Sequence, residues 1–237
     1  MTSESSLYQL KRPARYLGGE RGSICKDWDR VDVRFAMAFP DTYEVGMSNL
    51  GLQILYDAVN RHSDALCERA FAPWPDMEAV MRAQGIPLYA LESRRPLSEF
   101  DVIGFSLPYE LNLTNVLNML DLAGLPLRRE ERDARHPLVV AGGPCTANPL
   151  PLADFVDAFV VGDGEEAIID VNRAVKGCAG QARDALLAGG LLVLVADSIV
   201  RILPLATELR LGIALSLIGA PFFLWLLVRR DGRGSPG

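Results

Sequence analysis

Two short stretches bring together residues suited to holding a ligand against the backbone. Gly142-Gly143-Pro144 closes the run PLVVAGG (137–143), and Gly162-Asp163-Gly164-Glu165 closes DAFVVGDG (157–164). Adjacent glycines reach positive φ and let a bulky group approach the main chain. The second pair flanks a strand-to-helix turn, where free amides of the next helix can meet an anion. Carboxylates at Glu44, Glu110, Asp163, Glu165 and Glu166 are candidates for acid/base work. They also stand at expected helix starts, where the dipole alone favours them, and that reading is the commoner one. Cys145, just after Gly142-Gly143-Pro144, reads as a buried, inert thiol in preference to a nucleophile. The cysteines at 25, 67, 145 and 178 are scattered with no CxxC pair, and His62 and His136 are the only histidines. A zinc ribbon, a thioredoxin-type pair and a histidine-rich metal site are thereby excluded. No catalytic residue and no metal ligand is assigned.

The elements that must position these residues alternate. Short apolar runs rich in β-branched and aromatic residues predict strands at 31–39, 65–71, 86–91, 101–107, 137–143 and 157–164. Apolar residues at helical spacing predict helices over 47–61, 75–84, 110–122 and 165–175. Strand and helix in alternation give the α/β class, a doubly wound, mostly parallel sheet of Rossmann type. Ligands of such sheets sit beyond the carboxyl ends of the strands, where FPDTYEVGMS (39–48), GFSLPYE (104–110) and both glycine stretches fall.

The composition is uneven. The whole chain of 237 residues carries 24 basic and 30 acidic side chains, net -6, which argues against a nucleic-acid partner. Residues 178–237 hold only six basic and four acidic groups, and 211–228 run 18 positions without a charge. A bilayer-spanning helix needs roughly 17–25 such residues. The stretch 185–203 is of similar length but contains Asp197 and Arg201. Their i, i+4 spacing puts them on one helix face, where they can pair and offset the cost of charge in lipid. Arginines and lysines cluster before the first stretch (Arg173, Lys176, Arg183) and after the second (Arg229, Arg230, Arg233), so both ends are expected in the cytoplasm. The expected organisation is an arm (1–30), an α/β domain (31–176), a linker (177–184), a transmembrane helical hairpin (185–230) and a disordered tail (231–237). A pair of buried helices in a soluble core is the competing reading of 185–228. The polar start, MTSESSLYQLKR, has no leader character, so reduced cytosolic thiols are expected.

Two resemblances follow from longer segments. The runs FPDTYEVGMSNLGLQILYDAVN, ERAFAPWPDMEAVM, PLYALES, FDVIGFSLPYELNLTNVLNMLDLAGLPL and VVAGGPCTANPLPLADFVDAFVVGDGEE resemble the amino-terminal domain of a radical SAM protein family, across residues 7–175. That domain is similar to cobalamin-binding domains and normally precedes an iron–sulfur barrel. The cobalamin pattern D-x-H-x-x-G, S-x-L, GG corresponds here to Asp41-x-Tyr43-x-x-Gly46, Ser106-Leu107 and Gly142-Gly143, with Pro144, Gly162, Gly164 and Glu165 beside them. The resemblance implies cobalamin as a cofactor, with these residues as its binding set. Tyr43 stands where the cobalt-ligating histidine belongs, and a phenol of pKa about 10 is a poor ligand beside imidazole. A base-off cofactor and a degenerate pocket both stay open.

Residues 196–230, ADSIVRILPLATELRLGIALSLIGAPFFLWLLVRR, resemble the carboxy-terminal helices of iron–siderophore ABC-transporter permeases. Radical SAM chemistry needs a C-x-x-x-C-x-x-C cluster site. None of the four cysteines is so spaced, so no iron–sulfur cluster is expected and the chain is not expected to be catalytic alone. The resulting expectation is a truncated or fused radical SAM family protein, a ligand-binding module tethered to the inner membrane. Its expected partners are membrane lipid and other permease helices or an ATPase subunit. The alternative is a permease-like component of an iron–siderophore transporter. A soluble α/β enzyme whose core takes in both helices is the third reading.

Overall fold

The computed structural model describes residues 10–177. The linker beyond Gly177, the expected hairpin, the Asp197–Arg201 pair and the tail lie outside the described residues. No helix among the described residues is long and apolar enough to cross a membrane.

Five parallel strands form one sheet in the order β2-β1-β3-β4-β5. They are β1 Val33–Phe39, β2 Ala65–Phe71, β3 Val102–Ser106, β4 Leu138–Gly142 and β5 Ala158–Val160. Helices α1 Tyr43–Met47 and α2 Leu50–Asn60 follow β1, α3 Pro75–Gln84 follows β2, α4 Leu113–Leu122 follows β3, and α5 Gly164–Gly177 follows β5. Between β4 and β5 the chain makes only 3-10 turns, Pro144–Ala147 and Leu150–Leu152. Alternation along the central strands sorts the two faces. Ala36, Ala38, Ile103, Phe105, Val139 and Ala141 pack with Met77 and Met81 of α3 and Val116, Met119 and Leu120 of α4 in one closed core. The opposite face, carrying Phe35, Met37, Gly104 and Val140, lies under α2 and α5.

The sheet departs from expectation at its first edge. The run 86–91 does not join as a strand. It folds back on itself instead, with the Ala90 amide donating to Arg95 O and the Leu97 amide to Leu88 O, both at 2.9 Å. Arg94 takes positive φ (58°) at the turn. The outer edge of β2 is satisfied largely by side chains. The Asn60 amide group both donates to Cys67 O (2.9 Å) and accepts from Cys67 N (3.0 Å). The Glu92 carboxylate accepts from Arg69 N (2.8 Å), and Leu91 N donates to Arg69 O (2.7 Å). With the edge groups already paired, a sixth ladder has nothing to bind, which is how native sheets blunt an edge.

Two boundaries also shift. The helix expected over 47–61 begins only at Leu50, because Asn49 caps α2 by accepting from Leu52 N at 2.9 Å, and the short α1 precedes it. The strand expected over 157–164 is three residues long, since Gly162 at φ 108° turns the chain out of the sheet. The amino-terminal arm is tied down: Lys26 Nζ donates to the carbonyls of Asn60 at the end of α2, His62 in the turn after it and Ala65 at the start of β2 (2.7, 2.6 and 2.6 Å).

Candidate functional site

A cavity of roughly 340 Å³ lies between the sheet face and helices α2 and α5. Its volume is within the 300–1,000 Å³ typical of ligand pockets. On β3 its floor is Val102, Gly104 and Ser106, alternate residues on one face. That spans four residue steps, a depth of about 13 Å at ~3.3 Å per residue. The cavity exists because the sheet is bare where helices normally pack. Gly104 and Gly142 offer no side chains, and a Cβ at Gly104 would stand 3.0 Å from Met37 Sδ. Across the slot α5 begins with Gly164, where a Cβ would meet Leu55 Cδ2 of α2 at 3.3 Å.

The lining is graded. Near the strand amino ends it is Phe35, Val102 and Val171, and midway it is Met37, Gly104, Leu55, Val140 and Ile168. At the carboxyl ends it turns polar and backbone-rich, with Asn49, Ser106, Gly142, Gly143, Gly162 and Glu165. Glu165 is the only charged residue of the lining among the described residues, and it stands in the first turn of α5. Gly143, at φ 105°, lets the turn after β4 close on its neighbour, since a Cβ there would lie 2.8 Å from Leu107 O. An L side chain is strained in that region, so this position specifically requires glycine.

Seven of the eleven residues singled out from the sequence line the slot: Ser106, Gly142, Gly143, Pro144, Gly162, Gly164 and Glu165. Four do not. Leu107 is buried and braces the glycine turn through its backbone, its amide donating to Gly142 O at 2.8 Å. Asp41 accepts from the Thr42 amide (2.6 Å) and from the Tyr109 hydroxyl. Tyr43 donates its hydroxyl to Glu20 Oε1 at 3.1 Å and packs edge-on to Phe71, ring centroids 5.6 Å apart. It lines a separate small cavity with Arg15, Tyr16 and Arg69. Burial and the Glu20 carboxylate push the Tyr43 phenol above its ordinary pKa, so it stays protonated and does not offer a phenolate. Gly46 is buried against Phe71, whose ring a Cβ would overlap; it is a packing glycine.

Sequence reasoning missed the apolar half of the slot, Phe35, Met37, Gly104, Val140, Ile168 and Val171 among them. Gly104 inside the strand VIGFS was the available signal, because a glycine within a strand marks close approach or missing packing. Cys145 is not activated: burial and the nearby Glu110 raise its thiol pKa. Trp74 anchors the arm, with the Arg15 guanidinium 4.6 Å above its ring and its amide donating to Tyr16 Oη at 3.1 Å. Glu44 is taken up by Arg12 and Arg15, at 3.2 and 2.7 Å.

The family described as radical SAM proteins, N-terminal, matches residues 51–189, more than half of the chain. The chain belongs to that family. The match includes Ser106 and both glycine stretches of this radical SAM amino-terminal domain, and begins after Asp41, Tyr43 and Gly46. The FecCD transport family matches residues 183–229. An uncharacterized protein of Methanocaldococcus jannaschii is 27% identical over 131 residues, 55% of this chain and 24% of the relative. An achromobactin transport system permease protein of Dickeya dadantii is 52% identical over 54 residues, 23% of this chain and 16% of the relative. A vitamin B12 import system permease protein of Yersinia enterocolitica is 40% identical over 62 residues, 26% of this chain and 16% of the relative. The chain thus spans a quarter or less of the length of these relatives. It joins a radical SAM amino-terminal domain to a FecCD permease-like segment.

Proposed function

We propose that the chain is a ligand-binding module whose slot under α2 and α5 takes the nucleotide end of a corrinoid, and that residues 185–230 hold it in a membrane. The graded slot carries the first part of this reading. Its apolar depth suits a flat aromatic base, and its glycine-rich mouth brings backbone close to a ribose phosphate. Gly142 and Gly143 shape that mouth, and Ser106 offers a hydroxyl beside them. The cobalt end does not fit the same way. Tyr43 is engaged by Glu20 and Phe71, so no residue here is assigned to the metal, and the cofactor would bind without a protein ligand from this position. When bound, a corrinoid would supply organometallic chemistry; this chain's own residues bind and orient its tail.

The membrane part rests on the uncharged run 211–228 and on the permease match over 183–229. Positive side chains at both ends support an inner-membrane hairpin with both ends cytoplasmic. The permease match also favours a second reading, association with partner permease helices or an ATPase subunit of an ABC transporter.

The test uses the full-length chain. Absorbance titration with cobalamin, followed by desalting, should show a retained corrinoid, and an unchanged spectrum with no retained chromophore overturns the binding reading. Carbonate-washed membranes should keep the chain in the pellet. Its release into the wash overturns the anchor.

A further inference from the structure

The depth of the slot is more selective than its mouth. Phe35, Val102, Leu55, Val140, Ile168 and Val171 bring no polar side-chain atom to it. Backbone groups there are already used. Val102 of β3 pairs with Phe35 of β1 on one side and Leu138 of β4 on the other, and Val140 pairs with Gly104 and Ala158. The α2 and α5 amides and carbonyls at this level are committed to their own helices. Asn172, the buried amide next to Val171, keeps its Oδ1 without a hydrogen-bond partner among the described residues but is not part of the lining. A ring nitrogen or exocyclic amine pushed to this depth loses water and gains no partner from these lining side chains, whereas a methylated hydrocarbon edge loses nothing.

We infer that the slot selects the base of the bound nucleotide: it accepts a methylated benzimidazole and rejects a purine. The inference rests on the corrinoid reading and sharpens it to a class of cobamide. Met37 gives the fit some tolerance, because its flexible thioether adjusts to the ring edge above Gly104. Size is not the discriminating property, since both bases are flat, fused two-ring systems. Hydrogen-bonding demand is.

Three corrinoids separate the outcomes on the full-length chain: cobalamin with its dimethylbenzimidazole tail, the cobamide with an adenine tail, and cobinamide, which has no nucleotide. The expected result is that cobalamin binds at least about tenfold more tightly than the adenine form, and also more tightly than cobinamide. Adenine-tailed cobamide binding as well as cobalamin, or better, overturns the base selection. Cobinamide binding as well as cobalamin shows that no tail enters the slot and overturns the inference while corrinoid binding stands. Retention of none of the three overturns the corrinoid reading itself, and the inference with it.

Discussion

The Tyr109 hydroxyl donates to the Asp41 carboxylate, tying the loop after β3 to the loop after β1. These two strands are neighbours in the sheet, and the order β2-β1-β3 reverses direction between them. In doubly wound sheets of this order, that reversal opens the crevice where ligands bind. Asn115 of α4 adds a second tie by donating to Pro40 O at 2.9 Å. Both ties cross the crevice without entering the slot, and Pro108, adjacent to Tyr109, lines it.

Tyr109→Phe removes the first tie and leaves the second. Because the tyrosine is exposed, the stability cost is expected to be below about 1 kcal/mol, while ligand affinity changes through the loosened mouth. Asp41 holds the Tyr109 phenol above its ordinary pKa. The protonated donor is therefore favoured by folding, and the tie is present below the ordinary tyrosine range of about 10 and lost as pH rises through the raised value. Titration of ligand affinity between neutral pH and pH 11 should show this loss in the wild type and none in Tyr109→Phe. Identical profiles for the two proteins would refute it.

Asn60→Leu should destabilise the domain by about 3 kcal/mol, judged from two buried backbone groups at about 1–3 kcal/mol each. Its amide group satisfies both the amide and the carbonyl of Cys67 on the outer edge of β2. Leucine keeps the volume but strands both groups. Chemical denaturation of the full-length chain would measure the difference, and a cost under about 1 kcal/mol would mean that water replaces the side chain.

That edge also shows what the sequence made legible and what it hid. Five of the six strands, the helices over 75–84, 110–122 and 165–175, and both glycine turns can be read directly, because period and punctuation are local properties. The segment 86–91 cannot. Its apolar run has strand character, but its fate is decided by Asn60 and Glu92, which reach β2 from elsewhere in the chain. The site divides the same way. Glycine turns at strand ends announce themselves, which makes Gly142, Gly143, Gly162 and Gly164 legible. The floor of the slot is a property of the sheet face, where Gly104 and Gly142 line one cavity with residues of α5, and only the fold brings them together. The spacing of the pattern places Tyr43, yet its role is set by Glu20 in the arm.

Glu68, on the same edge strand, is buried with its carboxylate accepting from Ser93 N (3.1 Å) and Ser93 Oγ (2.5 Å). Burial, aided by the nearby Glu92 charge, raises its pKa despite those bonds. In the unfolded chain a glutamate titrates near about 4.3. Between that value and the raised one, the native state holds more protons than the unfolded state, so stability falls as pH rises through the window. Glu68→Gln preserves an oxygen that accepts from Ser93 and removes the titration. Its melting temperature should vary less steeply than that of the wild type from pH 4.5 to 7. Parallel curves would show that Glu68 carries no such linkage.

Gly104→Val tests the slot most directly. The added branches would occupy the floor midway along β3, against Met37, where even a Cβ would stand 3.0 Å from the sulfur. Valine suits an interior strand, and Met37 is flexible, so the expected folding cost is modest, about 1–3 kcal/mol of overpacking. The cavity, by contrast, is cut at its middle, and a base can no longer pass from the glycine-rich mouth to Val102 and Val171. Cobalamin affinity should fall by about tenfold or more, while cobinamide, with no tail to insert, should bind as it does to the wild type. A matched loss for both would mean that the substitution unsettles the sheet. Unchanged cobalamin affinity would mean that the ligand never occupies this depth.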